Sequence, residues 1–181
     1  KTQLIMLTLA KLIYLNDPLA NENISRKIVN EILKKPQNQA IKECASNLLT
    51  FFDRYHIKKM PHLTLYSLTG KTLLKDGKPY NQTTPYTLIY FCNTRNTACI
   101  QQLPITRKII EKGYNCILVL KNPEQSPFPD ITVPWNSMIE FIINYGITYE
   151  TSLLLKKDGN VIWRLDKGLT HPDFLKYMKM D

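Results

Sequence analysis

Apolar residues recur every three or four positions through the first third of the chain, and this spacing predicts three helices. The predicted helices cover residues 2–15, 24–35 and 37–55. The first is expected to end at Asn16-Asp17-Pro18, because proline cannot continue a helix. The first glycine is Gly70, and a long stretch without glycine suits closely packed helices.

The pattern then changes to short apolar runs separated by turns. Alternation of apolar and polar residues predicts a strand at 62–70, and continuous apolar runs predict buried strands at 86–91 and 114–121. Residues 99–113 between the last two runs have helical spacing and end in a glycine. Strand, helix and strand with short connections predict a right-handed βαβ unit with parallel strands.

The remaining segments continue this mixed pattern. We predict a turn-rich connection at 74–85, a proline-rich surface loop at 122–134, a helix at 135–146, a hairpin at 151–165 and a last helix at 170–179. The element order from Leu63 onward is then β β α β α β β α. The chain therefore divides into a helical region, residues 1–60, and an α/β region, residues 61–181.

Composition and charge narrow the possible partners. Of the 181 residues 44% are hydrophobic, which is ample for a buried core. The net charge is +9, but the basic residues are scattered as pairs beside acidic or apolar residues. We interpret them as solvated surface lysines and arginines, with nucleic acid or anionic lipid as the alternative partner.

The apolar stretch at 4–15 resembles part of a membrane segment. It is shorter than the roughly 20 residues that span a bilayer, and Lys11 interrupts it. We therefore expect no transmembrane span and a helix of the mature protein, with a retained secretory segment as the alternative.

Cysteine and histidine spacing offers no metal site. Cys44, Cys92, Cys99 and Cys116 are too far apart for a zinc ribbon, and the three histidines stand singly. We expect no metal and no cofactor. Cys44 and Cys116 are predicted to be buried core thiols.

Three segments in order resemble the thioredoxin fold, most closely the TlpA/ResA-type thiol-disulfide proteins. They are "LTLYSLTGKTL", "YFCNTRNTACIQQLP" and "YGITYETSLLLKKDGNVIWRLDKG". The resemblance implies a thioredoxin-like α/β fold, a central mixed sheet with flanking helices, preceded here by an all-helical N-terminal extension. It also implies a periplasmic or otherwise extracytoplasmic setting, although the thiols fit a cytosol or an organelle equally well.

The sequence departs from that family at the positions of its active site. Cys99 matches the second cysteine of C-x-x-C, but Asn96 stands in place of the first, and an amide cannot attack a disulfide. Arg95 and Cys92 replace the flanking tryptophans. Glu150 stands in place of the cis-proline, so we expect a trans peptide there.

Two further features leave alternatives open. Cys92 and Cys99 form a disulfide if the turn brings their Cα atoms within about 7 Å; otherwise Cys92 is a small apolar side chain under the loop. Phe128, Trp135 and Tyr149 are predicted to form an exposed aromatic patch that binds a partner. Alternatively, Trp135 fixes its own helix to the sheet.

These observations favour a redox-inactive thioredoxin-like domain that acts as a protein-binding or assembly module. The partner would be a protein or a larger assembly, and residues 1–60 would either cap the sheet or pack on another subunit. The alternative is an enzyme, a thiol-disulfide oxidoreductase that uses Cys99 with Cys92 or with a partner's thiol.

Overall fold

The structure is a computed structural model, and it describes residues 1–16, 18–80 and 84–178. The chain forms two compact units, Lys1–His56 and Ile57–Asp181. The first unit is helical and the second contains all of the described strands.

The helical unit contains the three predicted helices, α1 (Thr2–Asn16), α2 (Pro18–Lys34) and α3 (Gln39–Tyr55). The predicted start of α2 at residue 24 was wrong, because proline is favoured in the first helical turn and α2 begins there. The predicted break between α1 and α2 falls partly on Asp17, which lies outside the described residues. Asn38 caps α3, since its side chain accepts a hydrogen bond of 2.9 Å from the Ile41 N–H.

The apolar faces of the three helices meet in one core. Its buried members are Leu7, Ala10, Tyr14, Val29, Ile32, Ala45, Leu48, Phe52 and Tyr55. The Tyr14 hydroxyl donates to the Phe52 carbonyl oxygen at 3.2 Å, and this satisfies a buried polar group. Cys44 was predicted to join this core but is exposed. The buried line of α3 passes through Ala45, Leu48 and Phe52, and Cys44 lies one residue away from it.

The second unit is built on a five-stranded sheet and a three-stranded sheet. Its strands are β1 (Leu65–Tyr66), β2 (Thr72–Lys75), β3 (Lys78–Pro79), β4 (Tyr86–Cys92), β5 (Asn115–Leu120), β6 (Thr132–Pro134), β7 (Ser152–Lys156) and β8 (Val161–Leu165). Its helices are α4 (Thr97–Glu111), α5 (Ile139–Asn144) and α6 (Pro172–Tyr177).

The five-stranded sheet has the order β6-β5-β4-β7-β8. Strands β4, β5 and β6 are parallel, whereas β7 and β8 pair antiparallel. The predicted parallel βαβ unit is β4-α4-β5, and the predicted hairpin is β7-β8. The expected mixed sheet with flanking helices is thus confirmed.

The segment before β4 differs from its prediction. Strand β1 is only two residues long, and the hairpin β2-β3 begins at Thr72 and continues into the predicted turn-rich connection. Asp76 and Gly77 form its turn with φ of 55° and 72°, the left-handed values that a tight hairpin requires. A Cβ at Gly77 would lie 2.3 Å from the Pro61 carbonyl oxygen, so glycine is also needed for space. Residues 81–83 of the predicted connection lie outside the described residues.

The next predicted segments are also partly revised. The proline-rich loop 122–134 ends in the edge strand β6, because its last residues pair with β5. The helix predicted at 135–146 begins as a 3₁₀ turn, Trp135–Met138, and continues as α5.

The large sheet buries both faces, as the continuous apolar runs in β4 and β5 require. Ile89 and Phe91 of β4 point into one core, with α5 and the small sheet. Leu88, Tyr90 and Cys92 point into the other core, with α4 and α6. Only a short turn separates the carboxyl end of β4 from the start of α4. The sequence resemblance predicts the thiol-disulfide site at this turn.

Candidate functional site

Asn96 is the N-cap of α4. Its side-chain oxygen accepts a hydrogen bond of 3.0 Å from the Ala98 N–H, and its carbonyl oxygen accepts from the Cys99 N–H at 3.0 Å. The first N–H groups of a helix are the donors that stabilise a thiolate in this position. In this helix the Asn96 side chain accepts from one of these donors, the Ala98 N–H.

Cys92 and Cys99 are joined by a disulfide, with their Cα atoms 5.7 Å apart. Cys92 ends β4 and Cys99 lies in the first turn of α4, so the short turn between them brings the two sulfurs together. Of the two alternatives for Cys92, the structure has the disulfide. Both residues are 0% exposed, and the Asn93 N–H donates to the Cys99 sulfur at 3.0 Å.

Glu150 lies in the segment that precedes β7, beside the end of β4. No peptide bond in the described part of the chain is cis, and Glu150 has a φ of 73°. Its N–H donates to the Phe91 carbonyl oxygen at 2.7 Å, and its own carbonyl oxygen accepts from the Gly168 N–H at 3.0 Å. Left-handed backbone is unfavourable for a residue with a Cβ, so these two hydrogen bonds hold a strained conformation.

A buried amide, Gln102, connects Glu150 to the region of the disulfide. Its nitrogen donates to a Glu150 carboxylate oxygen at 3.3 Å. Its oxygen accepts from the Leu169 N–H, and from the Tyr90 hydroxyl at 3.2 Å. The Tyr90 oxygen also lies 3.7 Å from the Cys99 sulfur. The four side chains Cys99, Tyr90, Gln102 and Glu150, which we call the buried polar chain, are therefore linked in sequence.

Tyr90 is held as a neutral phenol. Burial raises its pKa well above the ordinary value, and the negative charge of Glu150 adds to the rise. The buried polar chain thus contains a hydroxyl that can donate a hydrogen bond over the whole physiological pH range.

Sequence reasoning did not identify Gln102 or Tyr90. Gln102 stands beside Leu103 on the buried side of α4, and a glutamine there was a signal that a buried partner exists. Tyr90 stands within an apolar strand and reads as an ordinary core residue, so its polar role had no signal of its own.

The structure brings together two of the three predicted binding aromatics. The rings of Trp135 and Tyr149 lie 4.8 Å apart, and the Lys121 ammonium is 5.5 Å from the centre of the Tyr149 ring. Trp135 also packs edge-on against Phe91, at 6.1 Å, so it does fix its segment to the sheet. Phe128 is not part of this group: it packs in the other core, with the Arg107 guanidinium 5.8 Å from its ring.

Arg95 lies in the turn between β4 and α4 and is exposed. Its backbone N–H donates to the Asn93 side chain at 3.1 Å, which shapes the turn. Of the two cations, Lys121 is the one that contacts Tyr149, and Arg95 is exposed in the turn before α4.

The described residues contain no metal-binding cluster and no membrane-spanning helix. No three of their His, Cys, Asp or Glu side chains lie close enough together to hold an ion. None of the helices built from residues 1–16, 18–80 and 84–178 has both the length and the apolar character needed to cross a bilayer.

Comparison with known proteins finds similarity only at the level of structure. No protein-family model matches the chain, and no curated protein matches it. The thioredoxin domain of a thiol-disulfide oxidoreductase from Bacteroides vulgatus is 15% identical and has a TM-score of 0.48, covering 69% of this chain and 97% of that one.

Two further solved structures are similar in the same way. A thiol:disulfide interchange protein from Bacteroides sp. is 16% identical over 61% of this chain and 82% of its own, with a TM-score of 0.45. The exposed lipoprotein thioredoxin of Streptococcus pneumoniae is 19% identical over 66% of this chain and 98% of its own, with a TM-score of 0.48.

The fold itself follows from the order and direction of the strands. A parallel β4-α4-β5 unit lies beside an antiparallel β7-β8 hairpin that is followed by α6, and β4 is the central strand. This is the arrangement that the sequence resemblance implied. The Ile57–Asp181 unit has a thioredoxin-like fold.

Proposed function

We propose that this chain is a redox-inactive thioredoxin-like protein that acts by binding a protein partner or by joining a larger assembly. The observation that carries the proposal is the start of α4. Asn96 caps this helix, where the sequence resemblance predicts the attacking sulfur, and the cysteines at residues 92 and 99 are bonded to each other and fully buried.

Burial of the disulfide supports a structural role for it. Thiol-disulfide exchange requires an incoming thiolate to reach a sulfur atom, and both sulfur-bearing residues are 0% exposed. The Asn96 amide has no sulfur with which to begin exchange from the surface. Cys92–Cys99 then fixes the carboxyl end of β4 to the start of α4.

The trans peptide at Glu150 supports the same proposal. In the family that the sequence resembles, a peptide substrate is held beside a cis-proline. In this chain the peptide is trans, and the half-buried Glu150 carboxylate accepts a hydrogen bond from Gln102. A negative charge in this region disfavours formation of a thiolate. The segment before β7 is therefore suited to a partner other than a substrate disulfide.

We propose that the partner contacts the exposed parts of Trp135 and Tyr149 and the neighbouring Lys121, and that the exposed Arg95 in the turn before α4 adds a second cation to this surface. Half-buried aromatics fixed by packing are typical of binding hot spots, since they lose little freedom on binding. Residues 1–60 form a separate helical extension in this proposal, and the division from residues 61–181 remains a prediction. Phe128 contributes to the fold of the surface loop instead of the patch.

We also propose an extracytoplasmic, for example periplasmic, location. Disulfides persist mainly in oxidising compartments, and the Cys92–Cys99 bond fits such a compartment. Cytosol or an organelle is the alternative. Trapping the thiols by rapid alkylation in the native cells tests this: an oxidised Cys92–Cys99 pair supports the proposal, and a reduced pair contradicts it.

Turnover of a model disulfide tests the absence of redox chemistry. Purified chain should not accelerate the reduction of insulin by dithiothreitol above the uncatalysed rate. A Cys92→Ser, Asn96→Cys double variant frees Cys99 and places a second cysteine at the helix start, so this variant should gain activity. Wild-type turnover that disappears in Cys92→Ser, Cys99→Ser would contradict the proposal.

Affinity capture from the native source tests the binding role. The partner captured by the wild type should also be captured by Cys92→Ser, Cys99→Ser, because that variant keeps the surface. Tyr149→Ala should lose it at least about ten-fold, a loss of the size that truncating a hot spot causes. Phe128→Ala is the matched control, an aromatic outside the patch. Loss of the partner on removing the cysteines alone would favour a redox enzyme.

A second candidate function is a thiol-disulfide oxidoreductase that uses Cys99 with Cys92 or a partner's thiol. The observation that favours it is the disulfide itself, at the end of a strand and the start of a helix. After reduction, an enzyme should show a thiol that reacts with iodoacetamide at pH 6 much faster than a free cysteine. Slow alkylation of both sulfurs supports the binding proposal instead.

A further inference from the structure

Helix α1 leaves one apolar face uncovered. Ile5, Leu9 and Leu12 are 59%, 49% and 58% exposed. Leu4 and Met6 are also exposed beside them. We call these five side chains the outer apolar face; exposed apolar residues gathered on one helix are of the kind that marks an interaction site.

The outer apolar face is not the face that forms the core of the helical unit. Leu7, Ala10 and Tyr14 of the same helix are buried against α2 and α3. The spacing of Ile5, Leu9 and Leu12, four and then three residues, places them together on the opposite side. The apolar residues of α1 thus lie on two sides of the helix. Packing of the helical unit explains the buried side, but it does not explain why the exposed side is apolar.

The charged side chains of the segment that forms α1 are all basic. Residues 1–16 contain Lys1 and Lys11 and no Asp or Glu. The Lys11 ammonium lies 5.0 Å from the centre of the Phe51 ring of α3. Lys11 follows Leu4 by seven residues, which places it on the Leu4 side of the outer apolar face. A second copy of α1 would bring like charges together, whereas an anionic surface would be complementary to them.

The size of the face also argues against a second copy. Full burial of one aliphatic side chain removes about 60–120 Å² of apolar surface from water. Covering five side chains that are about half exposed therefore removes about 150–300 Å². A stable protein interface buries about 800 Å² on each partner. A bilayer surface needs no such minimum, because apolar insertion and attraction to anionic headgroups act together.

We infer that the outer apolar face of α1 docks the chain onto an anionic lipid bilayer surface. The helix lies parallel to the surface, with Ile5, Leu9 and Leu12 at the boundary between headgroups and acyl chains. Lys1 and Lys11 lie at the level of the lipid phosphates. This attachment is peripheral, because a helix that lies in the interface does not cross the bilayer.

Co-sedimentation of the full chain with vesicles tests this inference. The probes are phosphatidylcholine vesicles with and without phosphatidylglycerol. Wild type should bind the anionic vesicles and lose binding as salt is added. Leu9→Gln, Leu12→Gln should weaken binding at least about ten-fold, and Lys11→Gln about five-fold.

Ile24→Gln is the matched control, because Ile24 is an equally exposed aliphatic residue of the same unit but lies on α2. It should bind as the wild type does, and far-ultraviolet circular dichroism should show the same helix content in all variants. Equal binding by wild type and the double variant would overturn the inference, as would equal binding to neutral and anionic vesicles. A concentration-dependent dimer in sedimentation velocity, lost in the double variant and without vesicle binding, would assign the face to a second copy.

Discussion

Gln102 and Glu150 are joined by a hydrogen bond of 3.3 Å, although 48 residues separate them in the chain. The bond links α4 to the segment that precedes β7. Gln102 also accepts from the Leu169 N–H and from the Tyr90 hydroxyl, so four separate parts of the fold meet on one amide. The sequence resemblance predicts that Glu150 stands in place of the family's cis-proline. In this chain the hydrogen bond from Gln102 fixes the Glu150 side chain instead.

The packing of Gln102 against Gly168 predicts a stability difference between two glycines. Gly168→Ala places a Cβ 2.5 Å from the Gln102 oxygen at a φ of 76°. Gln102 must move and lose hydrogen bonds, which should lower the free energy of unfolding by about 1–3 kcal/mol beyond the backbone cost. Gly113→Ala is the control, because Gly113 has a φ of 87° and no atom near its added Cβ.

The control should show only the strain of left-handed backbone, about 1–2 kcal/mol. Urea unfolding of both variants measures the difference. Equal losses at the two positions would mean that the contact with Gln102 contributes nothing.

Removing the amide itself should destabilise the domain directly. Gln102→Met keeps the size of the side chain but leaves the Leu169 N–H without its acceptor, so we expect a loss of about 1–3 kcal/mol. Gln101→Met changes the neighbouring, exposed position of the same helix and should stay within about 0.5 kcal/mol of wild type. Similar unfolding midpoints for Gln102→Met and Gln101→Met in urea would contradict the role given to the amide.

The parts of the fold that the sequence predicted are those with a strong local signal. The runs "YTLIYF" and "YNCILVLK" are apolar on both faces, and they form the central strands β4 and β5 because helices cover both sides of the sheet. Asn96 was placed at the helix start by its spacing from Cys99. It lies there because a short polar side chain caps a helix well.

The parts that were missed depend on contacts between distant segments. The buried polar chain combines residues from β4, α4 and the segment before β7, and no local pattern marks Tyr90 as their partner. The sequence predicts a loop across most of the hairpin β2-β3, because strands of 4 and 2 residues are too short to show alternation. The prediction that Phe128 joins Trp135 in one patch rested on the loops that the resembled fold gathers on one face, and the packing of the two side chains in different cores has no local signal in the sequence.

Thiol counting should distinguish the four cysteines. Cys44 is exposed and Cys116 is buried, and both are free, whereas Cys92 and Cys99 are bonded. Native protein should therefore be alkylated at Cys44 alone, denatured protein also at Cys116, and denatured, reduced protein at all four cysteines. Mass spectrometry of the labelled peptides gives the answer. Labelling of Cys99 in denatured protein without reductant would show that the disulfide is absent.

The disulfide should stabilise the α/β unit. Cys92 and Cys99 are 7 residues apart, and closing so short a loop removes unfolded-state entropy worth about 2 kcal/mol. Reduction should lower the free energy of unfolding in urea by about that amount. The Cys92→Ser, Cys99→Ser variant is the control, because its unfolding should not respond to reductant. A wild type that is equally insensitive would argue against a structural role for the bond.

Burial of Cys116 predicts a loss of stability at alkaline pH. Burial raises the pKa of this thiol from an ordinary value of 9.0 to about 12. The folded state therefore keeps a proton that the unfolded state releases, so this contribution is complete below pH 9 and is lost as the pH rises toward 12. Cys116→Val removes the thiol and keeps an apolar side chain. Urea unfolding at several pH values between 9 and 10 should show a shallower loss of stability for the variant than for wild type, and identical slopes would mean that the thiol titrates alike in both states.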